Sequence, residues 1–384
     1  MADQDLRKPL GSVPPDLSVL RWDESSGGPA VVLLDQTRLP SEEAELVCAD
    51  VPALVRAIRT LAVRGAPLLG IAGGYGVALA AARGEDVGAA TELLEQARPT
   101  AVNLGYGARM VAAAYRAAVD DGSVPDAAAA AALAAARELH RADAAASERM
   151  AGYGLRLLTE LLPGGGRAGH RLLTHCNTGA LVSGGAGTAF AVALRAHQEG
   201  GLRQLWVDET RPLLQGARLT AYEAGRHGMP YSVLADSAAG SLFAAGEVDA
   251  VLIGADRIAA DGSVANKVGS YPLAVLAKYH HVPFVVVAPT TTVDLETVDG
   301  ASIVVEQRPA SEVTELTSAP GAPAGRGGGR TVVAPLGAKA YNPAFDITPP
   351  ELVTAIVTEE GVISPVTGVG LAELCARSSQ VTIS

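Results

Sequence analysis

Apolar residues after residue 170 occur in short, nearly continuous runs that are separated by stretches with helical spacing. We predict strands at 171–175, 204–208, 231–236, 250–256, 283–289 and 302–306. The runs begin roughly 20–30 residues apart, a rhythm typical of alternating strands and helices. Because these runs of Val, Ile and Leu lack polar alternation, they indicate a parallel sheet covered on both faces. This part of the chain predicts a Rossmann-like, doubly wound parallel-sheet domain.

The first 160 residues have a different pattern, in which helical periodicity dominates. Residues 29–40 predict a strand pair or a strand and turn, and residues 51–66 predict a helix that ends at Gly65. The alanine-rich stretch 127–143 predicts a helix from propensity alone. Pro and Gly then interrupt the pattern at 161–170. We therefore predict an α/β protein with a mainly helical N-terminal domain and a small sheet (1–163), followed by the Rossmann-like domain (164–384).

Two segments near the C-terminus carry local signals. The sequence SAPGAPAGRGGGR at 318–330 has low complexity and predicts an exposed, flexible loop. The sequence DITPPE at 346–351 predicts a helix start, with Thr348 as N-cap, Pro349 at the first position and Glu351 completing a capping box.

Charge and composition exclude several classes of protein. The net charge is −11 and no cluster of Lys and Arg is present, which argues against a nucleic-acid-binding protein. No run approaches the about 20 apolar residues needed to span a bilayer, and the N-terminus lacks the apolar core of a signal peptide. The three cysteines are far apart, without zinc spacing. A disulfide framework and a structural metal are therefore not expected, and a reducing cytoplasm fits best.

The predicted strand ends supply the candidate chemistry, because ligands of such sheets bind at the carboxyl ends of the strands. These ends carry His175-Cys176-Asn177, residues 208–211, Asp236-Ser237 and residues 254–257. Cys176 has two interpretations at this stage. It is either an inert, buried thiol or a thiol whose pKa is lowered by the start of a following helix.

Two further segments have the composition of an anion site. After the strand that ends at Gly254, Asp256 follows, and Asn266-Lys267 are predicted to open the next helix, where free amides and an ammonium suit a phosphate. Asp256 is equally consistent with a capping carboxylate or a loop carboxylate without a function. The stretch RGAPLLGIAGGYG (64–76) offers Arg64 as a phosphate ligand, although close helix packing also explains its glycines. The turn SGGAGT at 183–188 lacks the features of a nucleotide-binding loop.

Together these segments resemble the methylthioribose-1-phosphate isomerase family, whose relatives include ribose-1,5-bisphosphate isomerase and the regulatory subunits of eukaryotic translation initiation factor two B. The resemblance covers nearly the whole chain and depends on many motifs in the same order. They are LDQTRLP (34–40), RGAP (64–67), RPTAVNL (98–104), THCNTGAL (174–181), VDETRPLLQGARLTAYE (207–223), GADRI (254–258), ANKVGSY (265–271) and YNPAFDITP (341–349).

The resemblance implies site residues. The catalytic pair of the family falls on Cys176 and Asp256. The substrate contacts fall on Arg64, Gly65, Ala66, Arg98, Gln215, Asn266 and Lys267. The chain departs from the family pattern at Tyr106, where Trp is usual, in the loop after Asp256, and in the length of the 318–330 insert. The change at Tyr106 affects the expected pocket for the substituent at carbon 5 of the sugar.

The resemblance also implies a reaction, the conversion of 5-methylthioribose 1-phosphate to its ketose in methionine salvage, by a homodimer without metal or cofactor. Cys176 is expected to act at carbons 1 and 2, and Asp256 to exchange protons with the ring oxygen or hydroxyls. Whether hydrogen moves as a proton or as a hydride stays open. The alternatives are 5-deoxyribose-1-phosphate isomerase, ribose-1,5-bisphosphate isomerase, which would need a second phosphate site, and a non-catalytic regulatory subunit.

Overall fold

The computed structural model describes residues 18–24, 27–98, 101–163, 169–317 and 330–381. Its strands are β1 (Leu20–Asp23), β2 (Ala30–Leu34), β3 (Glu45–Cys48), β4 (His170–Thr174), β5 (Leu202–Asp208), β6 (Tyr231–Leu234), β7 (Ala250–Ile253), β8 (Arg257–Ala259), β9 (Val264–Lys267), β10 (Phe284–Val287), β11 (Val293–Asp294), β12 (Glu315–Thr317), β13 (Arg330–Val332), β14 (Phe345–Thr348), β15 (Ala355–Thr358) and β16 (Gly361–Ile363). Its helices are α1 (Val51–Arg59), α2 (Ala66–Ala82), α3 (Val87–Glu95), α4 (Val102–Asp120), α5 (Pro125–Leu161), α6 (Ala189–Gln198), α7 (Ala221–Arg226), α8 (Ala239–Ala244), α9 (Ser270–Tyr279), α10 (Ser311–Thr314) and α11 (Gly368–Val381).

A seven-stranded sheet organises the C-terminal part, in the order β16-β15-β10-β7-β4-β5-β6. All neighbours pair in parallel except β16, which runs antiparallel at one edge. One apolar cluster joins α5, α6 and α7 to one face of the sheet, and a second joins α8, α9 and α11 to the other. The predicted Rossmann-like, doubly wound fold is confirmed, as are the predicted strands that became β4, β5, β6, β7 and β10.

The predicted strand at 302–306 is wrong. Gly300–Ser302 forms a single 3-10 turn, and the following residues lie at the surface, where Val304 is 81% exposed. The sixth parallel strand is instead β15, whose four residues are all buried between β10 and β16. The apolar run at 302–306 therefore lies at the surface. Its hydrophobicity alone does not show whether neighbouring strands are available for it to pair with.

The predicted helix start at Thr348 is also wrong. Thr348 ends β14, and the capping signal yields only the one-turn 3-10 helix Pro350–Leu352. The chain then enters β15, where Ile356 and Val357 are fully buried. Burial of these β-branched residues in a sheet outweighs the capping preference of the residues before them.

The N-terminal part combines a three-stranded antiparallel sheet, β1-β2-β3, with helices α1 to α5. The helix predicted at 51–66 ends at Arg59, and Gly65 begins the next helix instead of ending this one. Helix α2 is buried on nearly every side and packs closely on α4. A methyl group on Gly107 would lie 2.0 Å from the carbonyl oxygen of Gly70, so this contact requires glycine.

Helix α5 is 37 residues long and contains the predicted helix at 127–143. Ala132 and Ala136 belong to the apolar core of the N-terminal part, whereas Met150 and Leu158 belong to the cluster on the sheet. The helix ends at Leu161, and β4 begins at His170. The division of the chain after residue 163 stays a prediction.

Two smaller sheets complete the described structure. The four-stranded sheet β11-β8-β9-β14 carries the residues that follow β7, and β12 and β13 form a two-stranded hairpin. Of the loop predicted at 318–330, residues 318–329 lie outside the described residues. Within the described ranges, no helix combines the length and apolarity required to cross a membrane.

Candidate active site

The candidate site lies where the chain order of the sheet reverses. Strands β4 and β7 are neighbours, and from them the sheet grows outward in opposite directions. Such a reversal opens a crevice at the carboxyl ends of the two strands. Cys176 follows β4 and Asp256 follows β7, so the topology places both residues at this crevice.

One cavity at this crevice is lined by all nine residues that the sequence singled out. They are Arg64, Gly65, Ala66, Arg98, Cys176, Gln215, Asp256, Asn266 and Lys267. Arg64 to Ala66 and Arg98 come from the N-terminal part, and the others come from loops of the sheet domain. The cavity therefore lies between the two parts of the chain.

The backbone of Cys176 is held in an uncommon conformation, with φ of +65°. Its amide donates a 2.9 Å hydrogen bond to the hydroxyl of Thr210, and its carbonyl accepts a 2.6 Å bond from the hydroxyl of Thr220. Both threonines are fully buried. A non-glycine residue with positive φ is strained unless its surroundings hold it, and here two hydroxyls do so.

The predicted helix start next to Cys176 is absent, since α6 begins only at Ala189 and a 3-10 turn at Ala180–Val182 intervenes. Burial raises the pKa of the Cys176 thiol, and nearby Arg64 and Lys267 oppose that shift only in part. Of the two interpretations that the sequence left open, the one with a pKa lowered by a helix start is therefore wrong. The thiol keeps its proton to higher pH than an exposed cysteine does.

The pKa of the Asp256 carboxyl also differs from that of an exposed aspartate. Burial raises the pKa of this carboxyl, while the positive charges of Lys267, Arg98 and Arg64 lower it. Burial has the larger effect, so the carboxyl holds its proton to higher pH than an exposed aspartate does. Asp256 lies between β7 and β8 with no helix after it, so of the alternatives that the sequence left open it is not a helix cap.

Positive charge gathers around this pair without matching carboxylates. In the part of the chain that the structure describes, neither Arg64, Arg98 nor Lys267 forms a salt bridge within 4.0 Å. With its amide oriented to satisfy both of its atoms, Gln215 accepts a 2.9 Å hydrogen bond from Arg64. A cavity with these three cations and one carboxyl whose pKa is raised by burial is suited to bind an anion.

Lys267 reaches the cavity from a strand and not from the predicted helix start. It ends β9, and α9 begins three residues later, at Ser270. Its ammonium donates a 2.8 Å hydrogen bond to the carbonyl of Ala344 and lies 5.0 Å from the ring centre of Phe345. Burial lowers the pKa of this lysine, while Cys176 and Asp256 raise it.

Gly65 is consistent with both interpretations of the glycine-rich stretch 64–76, an anion site and close helix packing. It is the N-cap of α2 with φ of +93°, and it lines the cavity. A methyl group at this position would lie 2.2 Å from Cβ of Val182. The same residue therefore brings the start of α2 to the cavity and permits close packing against the loop that follows Cys176. The glycines farther along α2 serve packing alone.

A buried acid beneath this loop was missed by the sequence analysis. Glu223 accepts a 2.6 Å hydrogen bond from the side chain of Asn177 and a 3.1 Å bond from the amide of Leu181. Burial raises the pKa of Glu223 to about 7, against the effect of these donors. Glu223 lies within a motif that the sequence quoted, but no local pattern distinguishes it from a surface glutamate on a helix.

His175, Asp208 and Asp236 bring possible metal-binding atoms within 4.8 Å of one another. Most of these atoms already have partners, whereas Oδ1 of Asp208 is buried and has no hydrogen-bond partner among the described residues. Nδ1 of His175 lies 2.9 Å from a carboxylate oxygen of Asp208, and Asp236 accepts 2.7 Å hydrogen bonds from the amides of Thr210 and Arg211. The group therefore forms a hydrogen-bonded network between strand ends.

Tyr106 does not line the cavity that contains Cys176. It is 43% exposed on α4 and borders a neighbouring hollow that shares Asp256 with the main cavity. Lining residues that the sequence did not identify include Leu213, Arg308 and Phe345. Arg308 is paired with Glu306 and Glu312, so it adds little free charge.

Comparison with known proteins agrees with this geometry. Residues 62–365 match the model of the initiation factor 2 subunit family. A methylthioribose-1-phosphate isomerase of Yersinia pestis (strain Pestoides F) is 48% identical over 341 residues, which cover 87% of this chain and 90% of the relative.

Two solved structures are similar over almost the full length. The 5-methylthioribose 1-phosphate isomerase of Pyrococcus horikoshii OT3 is 34% identical with a TM-score of 0.80, covering 93% of this chain and 95% of that one. The translation initiation factor eIF-2B, subunit delta, from A. fulgidus is 38% identical with a TM-score of 0.76, covering 94% and 100% respectively. The fold is therefore shared by a protein named as an isomerase and by a protein named as a translation initiation factor subunit.

Proposed function

We propose that this chain, which belongs to the initiation factor 2 subunit family, is an aldose–ketose isomerase that converts 5-methylthioribose 1-phosphate to 5-methylthioribulose 1-phosphate in methionine salvage. One observation carries the proposal. A thiol and a carboxyl with raised pKa values share a cavity with three cations that form no salt bridge within 4.0 Å to any described residue. Relatives with the isomerase name support the choice of substrate.

The cations hold the phosphate in this proposal. Arg64 and Arg98 offer planar forks that match phosphate oxygens, and Lys267 adds a buried point charge. The start of α2 at Gly65 and Ala66 contributes backbone amides that can bind phosphate oxygens. Helix α2 is 17 residues long, and its dipole also favours negative charge at this end. Gln215 orients Arg64, and Asn266 is held by a 2.7 Å hydrogen bond to Ser270.

The chemistry follows from the two raised pKa values. Carbon 1 of the substrate carries both the phosphate and the ring oxygen, so the ring has to open while the phosphate stays attached. Protonated Asp256 donates its proton to the ring oxygen as the bond from carbon 1 breaks, which leaves a cation at carbon 1. A hydride then moves from carbon 2 to carbon 1, and the Asp256 carboxylate takes the proton of the carbon-2 hydroxyl. The product is a ketone at carbon 2.

Cys176 acts beside carbons 1 and 2 in this scheme. Because burial raises the pKa of its thiol, we assign Cys176 the exclusion of water from the cation and not the role of a base. The competing route uses the Cys176 thiolate to carry a proton from carbon 2 to carbon 1 through an enediol. Both routes oxidise carbon 2 and reduce carbon 1 of the same substrate, so the reaction is redox-neutral overall.

An isotope experiment separates the two routes. Substrate deuterated at carbon 2 is converted in ordinary water, and the product is analysed by NMR. Deuterium retained at carbon 1 supports hydride transfer, whereas loss of deuterium to solvent supports the proton route and overturns our assignment for Cys176.

The function itself is tested by turnover of 5-methylthioribose 1-phosphate by the wild type, Cys176→Ser and Asp256→Asn. We expect Asp256→Asn to lower kcat by at least about 10²-fold, typical of removing a general acid. We expect Cys176→Ser to lower kcat as well, because a serine hydroxyl attracts water to the place beside the cation. Cys375→Ser serves as the thiol control, because Cys375 is half-buried on α11 and does not line this cavity. Wild-type rates in Cys176→Ser would sink the catalytic assignment.

Assays on related sugars decide the substrate. A methylthio group adds only about 1–3 kcal/mol of discrimination, so 5-deoxyribose 1-phosphate is a plausible second substrate. Ribose 1,5-bisphosphate is expected to react poorly, because Arg308 at the cavity is already paired with two glutamates. A regulatory role is the second candidate function, because the 38% identical structure is named as a translation initiation factor subunit. Absence of turnover on all three sugars would favour it.

Assembly and location are part of the proposal. We propose a cytoplasmic homodimer that forms through the C-terminal domain, where β6 is the edge strand of the sheet and exposes Tyr231 and Val233. Sedimentation velocity of the full chain measures the mass directly. A monomeric mass at micromolar concentration would contradict the dimer.

A further inference from the structure

His175 is fully buried directly before Cys176 and does not line the cavity. Both of its ring nitrogens have partners at 2.9 Å, a carboxylate oxygen of Asp208 at Nδ1 and the carbonyl oxygen of Val268 at Nε2. A carbonyl oxygen only accepts hydrogen bonds, so Nε2 carries a hydrogen. Burial opposes a second proton on the ring, but the hydrogen bond and charge of Asp208, the charge of Asp236 and the bond to Val268 together outweigh it and raise the pKa of His175.

These contacts join three separate segments of the site. His175 immediately follows β4, Asp208 ends β5, and Val268 immediately follows β9. The neighbour of His175 is Cys176, and the neighbour of Val268 is Lys267. A single ring therefore connects the segment of the thiol to the segment of the ammonium.

The turn after Lys267 is shaped around this ring. Gly269 has φ of +111°, and a methyl group there would lie 2.6 Å from Cε1 of His175. The amide of Val268 donates a 3.3 Å hydrogen bond to the Ala344 carbonyl that also accepts from the Lys267 ammonium. Movement of the ring would therefore disturb the turn and the acceptor that holds Lys267.

Resting on the proposed function, we infer that His175 is a positioning residue that fixes Cys176 and Lys267 relative to one another, with Asp208 as its anchor. It contacts neither substrate nor cavity. Its two hydrogen bonds have separate effects. The bond to Asp208 holds the Cys176 end of β4, and the bond to Val268 holds the turn that carries Lys267.

Two amide substitutions separate these effects. In His175→Asn the amide nitrogen replaces Nδ1, so the bond to Asp208 persists and the bond to Val268 is lost. In His175→Gln the amide nitrogen reaches the place of Nε2, so the bond to Val268 persists and Asp208 loses its partner. His281→Asn is the matched control, because His281 is exposed after α9 with φ of +57°, a conformation that asparagine tolerates.

We expect opposite kinetic signatures. His175→Asn raises KM and the dissociation constant of inorganic phosphate by about tenfold or more, with a smaller change in kcat. His175→Gln lowers kcat by about tenfold or more, with KM within about threefold of the wild type. His281→Asn changes neither. Equal effects of both His175 variants on kcat and KM, or no effect of either, would overturn the inference.

NMR of the wild type keeps the inference testable if a variant fails to fold. Ring-nitrogen spectra of labelled histidines should show Nε2 of His175 protonated, and phosphate should shift its Nε2–H signal. An unprotonated Nε2, or a signal insensitive to saturating phosphate, would overturn the assignment. Phosphate binding and these spectra need no turnover, so an inactive wild type would refute the proposed function while leaving the inference testable.

Discussion

The Thr220 hydroxyl lies 2.6 Å from the carbonyl oxygen of Cys176 and donates a hydrogen bond to it. Thr220 is fully buried and lies where a π-helical stretch passes into α7. The backbone of the proposed reactive cysteine is therefore held by a side chain from a different segment of the sheet domain. Interruptions of this type in a helix are frequent at functional sites.

Thr220→Val is expected to release this carbonyl without changing the volume of the side chain. Loss of a buried hydrogen bond costs about 1–3 kcal/mol of the free energy of unfolding, and displacement of Cys176 lowers kcat by about tenfold. Urea unfolding and steady-state kinetics measure the two effects. Thr159→Val is the control, because Thr159 makes a similar bond to the Leu155 carbonyl on an exposed helix surface. Equal losses in both variants would contradict the role of Thr220.

Gly65→Ala tests whether close packing at the cavity requires glycine. Gly84 also has positive φ but has nothing within 4 Å of an added methyl group, so Gly84→Ala reports backbone strain alone, about 1–2 kcal/mol. At Gly65 the overlap with Val182 adds about 1–3 kcal/mol of overpacking and moves the start of α2. Chemical denaturation and phosphate titration should show larger losses of stability and affinity for Gly65→Ala. Equal stability losses in the two variants would refute the packing argument.

Lys267→Met is expected to slow alkylation of Cys176. The ammonium of Lys267 lowers the pKa of the Cys176 thiol, so removal of the ammonium raises this pKa and reduces the thiolate fraction at pH 8. A rise of one pKa unit reduces the thiolate fraction by about tenfold. Peptide mapping by mass spectrometry after iodoacetamide treatment follows Cys176 alone. Lys278→Met, on the exposed face of α9, is expected to alkylate like the wild type. An unchanged rate in Lys267→Met would show that the two groups are not coupled.

Glu223 predicts a pH dependence of stability. Its pKa is raised from 4.5 to about 7, so between these values the folded state keeps a proton that the unfolded chain has released. The free energy of unfolding should therefore fall as pH rises from about 4.5 to 7, by about 3 kcal/mol from this group. The difference between wild type and Glu223→Gln isolates the effect. A difference that does not change with pH across this window would contradict the raised pKa.

The parallel strands could be predicted because their signal is local. Each of the runs that became β4, β5, β6, β7 and β10 is apolar and bounded by polar or turn residues. The sixth strand could not be predicted in the same way, because the helix-start signal at Thr348 and the apolar run at 302–306 point to the wrong segments. Only the sheet itself, through burial of β15 beside β10, decides between them.

The composition of the cavity followed from the resemblance, but its physical chemistry did not. The sequence placed Cys176 near a helix start and Lys267 on one, and both placements were wrong because the intervening turns are longer than local signals indicate. Ionisation depends on burial, which one sequence does not reveal. The contacts of His175 and Glu223 depend on residues 33 to 93 positions away in the chain, beyond any local pattern.

Helix α5 rigidly connects the N-terminal part of the chain to the sheet domain. At about 1.5 Å per residue its 37 residues extend for about 55 Å, and its two halves are embedded in different apolar cores. Arg64 and Cys176 face the same cavity from the two parts that this helix connects. A hinge that separates these parts as rigid bodies would have to bend α5 or strip one of its halves from its core. Substrate entry and product release should therefore depend on loop movement at the mouth of the cavity, and a protein cut at residue 163 would leave the sheet without one of its covering helices.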